Sequence, residues 1–161
     1  MPVTFCDSCG NQISLRGVVR EITAFMAAAP ARRYTVTIGT DSEQLADKTA
    51  DFVTAIVVHR VGNGGRYFWQ RFALGKFHTL RDRIIREVLT SIDMAKAMVL
   101  ELDAVRGELP EFAFEIHADV GENGPTKQMI QEVVGMIRAN HFAVRVKPDS
   151  YAATNVADRH V

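Results

Sequence analysis

Apolar residues recur along this chain with two periods. Between residues 14 and 29, Leu15, Val18, Val19, Ile22, Phe25 and Met26 fall at steps of three and four. That spacing predicts an amphipathic helix with Ser14 as its N-cap and Pro30 as its stop. Residues 34–40 instead alternate Tyr34, Val36 and Ile38 with Thr35, Thr37 and Gly39, the two-residue period of a strand. Residues 52–61 and 66–74 read as the second and third strands, and the Asn63-Gly64-Gly65 turn between them predicts an antiparallel hairpin. Over residues 80–105 the helical period returns, with Leu80, Ile84, Val88, Ile92, Ala95, Val99 and Leu102 as the apolar stripe and Gly107 and Pro110 beyond its end. A fourth strand (112–120), a helix (126–140), a fifth strand (142–146) and a short terminal helix (151–160) follow. Residues 1–13 read as an irregular lead-in, and 1–161 as one domain.

Three consecutive strands followed by strands alternating with helices predict an α/β fold on a mixed sheet. The first three strands are expected antiparallel. The later two are expected to return through helical crossovers.

Composition narrows the function class. The chain is 47% hydrophobic and 24% charged, as in an ordinary globular domain. It has no apolar run long enough to span a bilayer, and the N-terminal sequence lacks the pattern of a secretory signal. A cytoplasmic protein with no membrane contact is the expectation. Nineteen basic residues balance nineteen acidic ones, which argues against nucleic-acid binding by bulk charge while leaving room for a local basic groove. Cys6 and Cys9 form a single C-x-x-C, half of a four-ligand zinc site. A pair of reduced thiols, or structural zinc completed by another chain or a folded-back His, are the readings open to it.

Four acids stand at informative positions. Asp41 follows the first strand and Asp119 the fourth, so in a parallel pair both emerge at the strand ends where α/β sheets bind ligands. Glu87 flanks the apolar stripe of the long helix, and Asp158 lies in the terminal helix. Converging carboxylates repel one another and call for a cation. Oxygen ligands select hard ions such as Mg²⁺ or Mn²⁺, and a pair of such ions activates water for phosphodiester cleavage.

These residues carry a family resemblance. Ile38-Gly39-Thr40-Asp41-Ser42, Glu87 and His117-Ala118-Asp119-Val120-Gly121 resemble the ribonuclease H-like superfamily. Val146-Lys147-Pro148, Ser150-Tyr151-Ala152 and Val156-Ala157-Asp158-Arg159 narrow the likeness to its bacterial YkuK-like family of uncharacterised proteins. The resemblance implies a ribonuclease H-like five-stranded mixed sheet, strands one to three antiparallel and four and five parallel to strand one, flanked by helices. It implies that Asp41, Glu87, Asp119 and Asp158 are the catalytic and metal-binding acids of a nuclease using two Mg²⁺ or Mn²⁺ ions on RNA or DNA. Asp149 competes with Asp158 for the last position. The alternatives are an inactive ribonuclease H-like module that binds nucleic acid or protein, and an enzyme acting on a small phosphoester.

Lys147 and Ser42 are candidate substrate-binding residues, against plainer roles as an ion-pairing lysine and a turn former. His117 shares a strand face with Asp119 and reads first as a core histidine. His160 reads first as a solvated terminal residue, Phe68 and Phe72 as core, and Arg81, Arg83 and Arg86 as a solvated helical face. Trp69 is open between core packing and base stacking.

Overall fold

The alternating segments assemble into one sheet. The computed structural model describes residues 3–161, the side chains of 153 and 154 excepted, so the first two residues of the expected lead-in lie outside it. The elements are β1 (Thr4–Cys6), β2 (Gln12–Ser14), α1 (Leu15–Ala27), β3 (Tyr34–Gln44), β4 (Ala50–Arg60), β5 (Gly65–Leu74), α2 (Leu80–Ala104), β6 (Phe112–His117), α3 (Ile130–Ala139) and β7 (Ala143–Arg145). A π-helical turn, Ala152–Ala157, follows. Strand order is β2-β1-β5-β4-β3-β6-β7. β3, β4 and β5 are antiparallel neighbours, β6 is parallel to β3, and β7 is parallel to β6.

This is the mixed, helix-flanked sheet expected, but with seven strands rather than five. The two extra strands come from the segment read as an irregular lead-in, which folds into the β1–β2 hairpin. Its turn is held by Asp7, whose Oδ1 accepts the backbone N–H groups of Cys9 and Asn11 at 2.8 and 2.9 Å. Three-residue strands are too short for alternation to declare itself. Phe5, fully buried, ties the hairpin to the core.

Register assigns every strand residue to a face. Phe68, Ile56, Ile38, Ile116 and Val144 form one continuous row across five strands. They face the buried sides of α1 and α2, and Val133 and Ile137 of α3 join the same core. Ser14 caps α1 by accepting the Gly17 N–H at 3.1 Å, and Thr79 caps α2 by accepting that of Asp82 at 3.0 Å. The stripe of α2 runs through Met98, while Val99 is only partly buried. The next row, Trp69, Ala55, Gly39, His117 and Arg145, faces the opposite side. There Val53 and Ala55 pack with Ala157, Trp69, Val156 and Val161 in a smaller cluster, so the chain's last residues cover the second face. Among the described residues no helix is long and apolar enough to cross a membrane.

On the helical face one polar group interrupts the core beside Asp41. Thr40 Oγ1 lies 2.9 Å from Thr54 Oγ1 and 2.8 Å from Ser91 Oγ, all three hydroxyls being buried. The chain of hydroxyls pins α2 to β3 at the height of the acids. Thr40→Val strands two partners without water and is expected to lower unfolding free energy by about 1–3 kcal/mol in urea titration.

Candidate functional site

The parallel pairing of β3 with β6 ends at Gly39↔His117. Asp41 and Asp119 each lie two residues beyond that pair, on the same strand faces as Gly39 and His117. β3 itself continues to Gln44, so Asp41 sits within the strand rather than at its end. Beyond His117 the chain stays beside the segment after β7 through two backbone bonds, Ala118 N–H to Arg145 O and Lys147 N–H to Val120 O, each 2.9 Å. The second bond sets Lys147 alongside Asp119. Its Nζ is 2.8 Å from Asp119 Oδ1, and this contact holds the ammonium pKa above its ordinary value. The close approach needs Gly121, where an added Cβ would stand 2.7 Å from Lys147 Cβ.

Glu87 arrives from the helical face. It is 4% exposed, and its Oε1 accepts the Ser42 hydroxyl at 2.5 Å. Arg83, one turn earlier on α2, donates from Nη1 to the Ser42 carbonyl at 2.6 Å and to Ser42 Oγ at 3.0 Å. Ser42 thus links helix and strand instead of forming a turn. Arg83 belongs to this buried chain rather than to a solvated face, and its Nε has no hydrogen-bond partner among the described residues.

Asp158 arrives from the opposite face, near enough to Asp41 to add to the rise of its pKa. Asp158 is exposed, as is its rival Asp149 in the turn after β7. The segment carrying Asp158 is anchored by His160, whose imidazole stacks on the Trp69 indole with centroids 4.1 Å apart and planes 8° apart. His160 is therefore packed rather than solvated, and burial lowers its pKa. Trp69 serves as core for this layer. His117 is a satisfied core histidine: Nδ1 accepts the N–H groups of Tyr151 and Ala152 at 3.0 and 3.2 Å, and Nε2 lies 2.9 Å from Glu115 Oε1.

Asp41 and Glu87 feel the acids around them. Burial raises the Asp41 pKa to about 7; the Ser42 backbone N–H opposes this, and Asp119 and Asp158 add to it. Burial likewise raises Glu87 to about 8, against the Ser42 hydrogen bond and Arg83, with Asp41 and Asp119 adding to the rise. As oxygen donors of high negative charge density they suit a hard divalent ion. As placed, two of them already have substitutes for one: an ammonium on Asp119 and a hydroxyl on Glu87. Among the described residues no three His, Cys, Asp or Glu side chains stand close enough together to hold a metal. Cys6 and Cys9 are free thiols on the β1–β2 hairpin.

A cavity of about 760 Å³ lies elsewhere, at the opposite ends of β3 and β6 between Arg33, Arg106 and Pro110. It contains none of these acids.

Comparison with known proteins gives a coherent picture. The family model described as ribonuclease H-like matches residues 17–161. The uncharacterised protein YkuK of Bacillus subtilis (strain 168) is 34% identical over 158 residues, covering 92% of this chain and 91% of that protein. No solved structure matches.

The raised acids have a consequence for stability. A carboxyl with a raised pKa in the folded state gives stability that is fully present below the ordinary carboxylate range. That stability is lost as pH climbs through the folded values of about 7 and 8. The metal-free protein is expected to melt at lower temperature at pH 9 than at pH 6. Glu87→Gln, which can still accept from Ser42, is expected to narrow the gap by about 2–4 °C for each kcal/mol recovered, read by calorimetry at both pH values.

Proposed function

Because the chain belongs to the ribonuclease H-like family, we propose that it is a metal-dependent nuclease hydrolysing phosphodiester bonds of RNA or DNA. The observation that carries this reading is the electrostatic convergence of Asp41, Glu87, Asp119 and Asp158 from a strand, a helix, a strand end and the covering segment. These four would hold Mg²⁺ or Mn²⁺. Such ions, when bound, activate water and neutralise charge on the leaving oxygen.

The protein's own groups have separable tasks. Ser42 fixes the Glu87 carboxylate, and Arg83 fixes Ser42. Both keep a buried acid in one orientation, which is the form of preorganisation that such chemistry needs. Lys147 holds positive charge at the rim of the cluster. Its ammonium has three donors, so the contact to Asp119 leaves donors that would pair with a substrate phosphate. Arg provides fourteen of the nineteen basic residues, and its planar fork suits phosphate elsewhere along the strand.

A second reading has its own support. Lys147 already neutralises Asp119, and no three ligand side chains are grouped for an ion among the described residues. An inactive module that binds nucleic acid or protein through the same edge of the sheet fits those two facts. Fold alone does not decide between them.

Cleavage assays on single-stranded and duplex RNA and DNA separate the readings. The nuclease is expected to require millimolar Mn²⁺ or Mg²⁺, to stop on chelation, and to lose at least about a hundredfold in rate in Asp41→Asn, the scale of a lost electrostatic contact to the transition state. Equal rates for wild type and Asp41→Asn would exclude this mechanism, and substrate binding without cleavage would favour the module.

A further inference from the structure

A second cavity, of about 480 Å³, opens beside the acid cluster, and Lys147 forms part of its wall. Resting on the nuclease reading and narrowing its substrate, we propose that this cavity receives one unpaired nucleotide, its base against Tyr151 and its phosphate at Lys147.

Size is the first argument. The volume lies in the range of about 300–1,000 Å³ typical of small-ligand sites. One nucleotide enters such a space; a base-paired duplex does not.

The walls supply the second argument. Tyr151 is a fixed aromatic surface, its hydroxyl oxygen accepting from the Thr37 hydroxyl at 3.5 Å and its ring set edge-on against His117 at 4.5 Å. Pro148 adds apolar surface, while Asn123 and Asn155 add amides. Each amide both donates and accepts, as the edges of a base require. An aromatic ring with neighbouring amides suits a base better than it suits a bare phosphate or a sugar phosphate.

Charge is the third. Lys147 is the cation of the lining and touches Asp119 at 2.8 Å, so it marks the boundary between cavity and acids. The rim carboxylate, Glu122, is exposed and faces Lys127 at 3.7 Å. A nucleotide with its phosphate at this boundary presents its phosphodiester link to Asp119 and Asp41. The cavity thereby favours a strand end or an unpaired position over the interior of a duplex.

Titration of the metal-free protein with a nucleoside 5′-monophosphate, followed by NMR, tests the site without hydrolysis. The monophosphate is expected to bind at least about tenfold more tightly than inorganic phosphate or the free nucleoside. Tyr151→Ala is expected to weaken it by about tenfold, the size of one lost stacking contact. Asn155→Ala changes an exposed residue and keeps the test informative where Tyr151→Ala fails to fold; a several-fold loss is expected. Asp41→Asn is expected to bind as well as wild type or better, because a repulsive charge is removed. A monophosphate that binds no better than phosphate, or that ignores both cavity variants, would overturn the proposal. Nucleotide binding without Mn²⁺-dependent cleavage would uphold the cavity while defeating the nuclease. Cleavage of blunt duplex as readily as of single strands, unaffected by Asn155→Ala, would do the reverse.

Discussion

The pairing of β3 with β6 is the contact on which the rest of this molecule depends. Six consecutive residues of each strand run side by side, from Tyr34↔Phe112 to Gly39↔His117, and then β6 stops while β3 goes on. The parallel direction sends both chains out at the same end, and the shared register puts Asp41 and Asp119 equally far past the last pair. Everything else at the site is delivered to that fork. The helix α2 brings Glu87 from one side, the covering segment brings Asp158 from the other, and the turn after β7 brings Lys147.

Gathering acids in this way opposes folding. Glu87 is buried deeply enough that its ionised form is disfavoured at neutral pH, and Asp41 lies close to two other carboxyls. The surroundings answer with fixed donors. Ser42 and Arg83 are committed to Glu87 and to the strand beside it, and the Thr40, Thr54 and Ser91 hydroxyls keep the helix from sliding. An energetically poor cluster held by well-satisfied neighbours is the pattern expected where function, not stability, sets the residues.

Much of this was legible in the sequence because it follows from period and parity. Alternation in residues 34–40 and 112–120 located Asp41 and Asp119, and the helical stripe put Glu87 at its flank. Other parts depend on contacts that periodicity does not encode. Residues 1–13 read as irregular because their two strands are three residues each around a polar turn. Arg83 read as surface because its partner, Ser42, is forty-one residues away. Whether Asp158 comes near Asp41 depends on whether the last residues fold back across the sheet. That in turn rests on an indole and an imidazole ninety-one positions apart stacking together. The Tyr151 cavity was hidden for the same reason, since its walls come from two separate turns.

The Trp69–His160 stack carries one more consequence. Trp69 is the sole tryptophan of the chain, and the ring lying on it belongs to the same segment that presents Asp158. The indole fluorescence of this protein, excited at wavelengths that tyrosine does not absorb, therefore comes from one place, the seam between the sheet and its second cover. The protein carries its own optical gauge of whether that cover is seated, and so of whether Asp158 is in place.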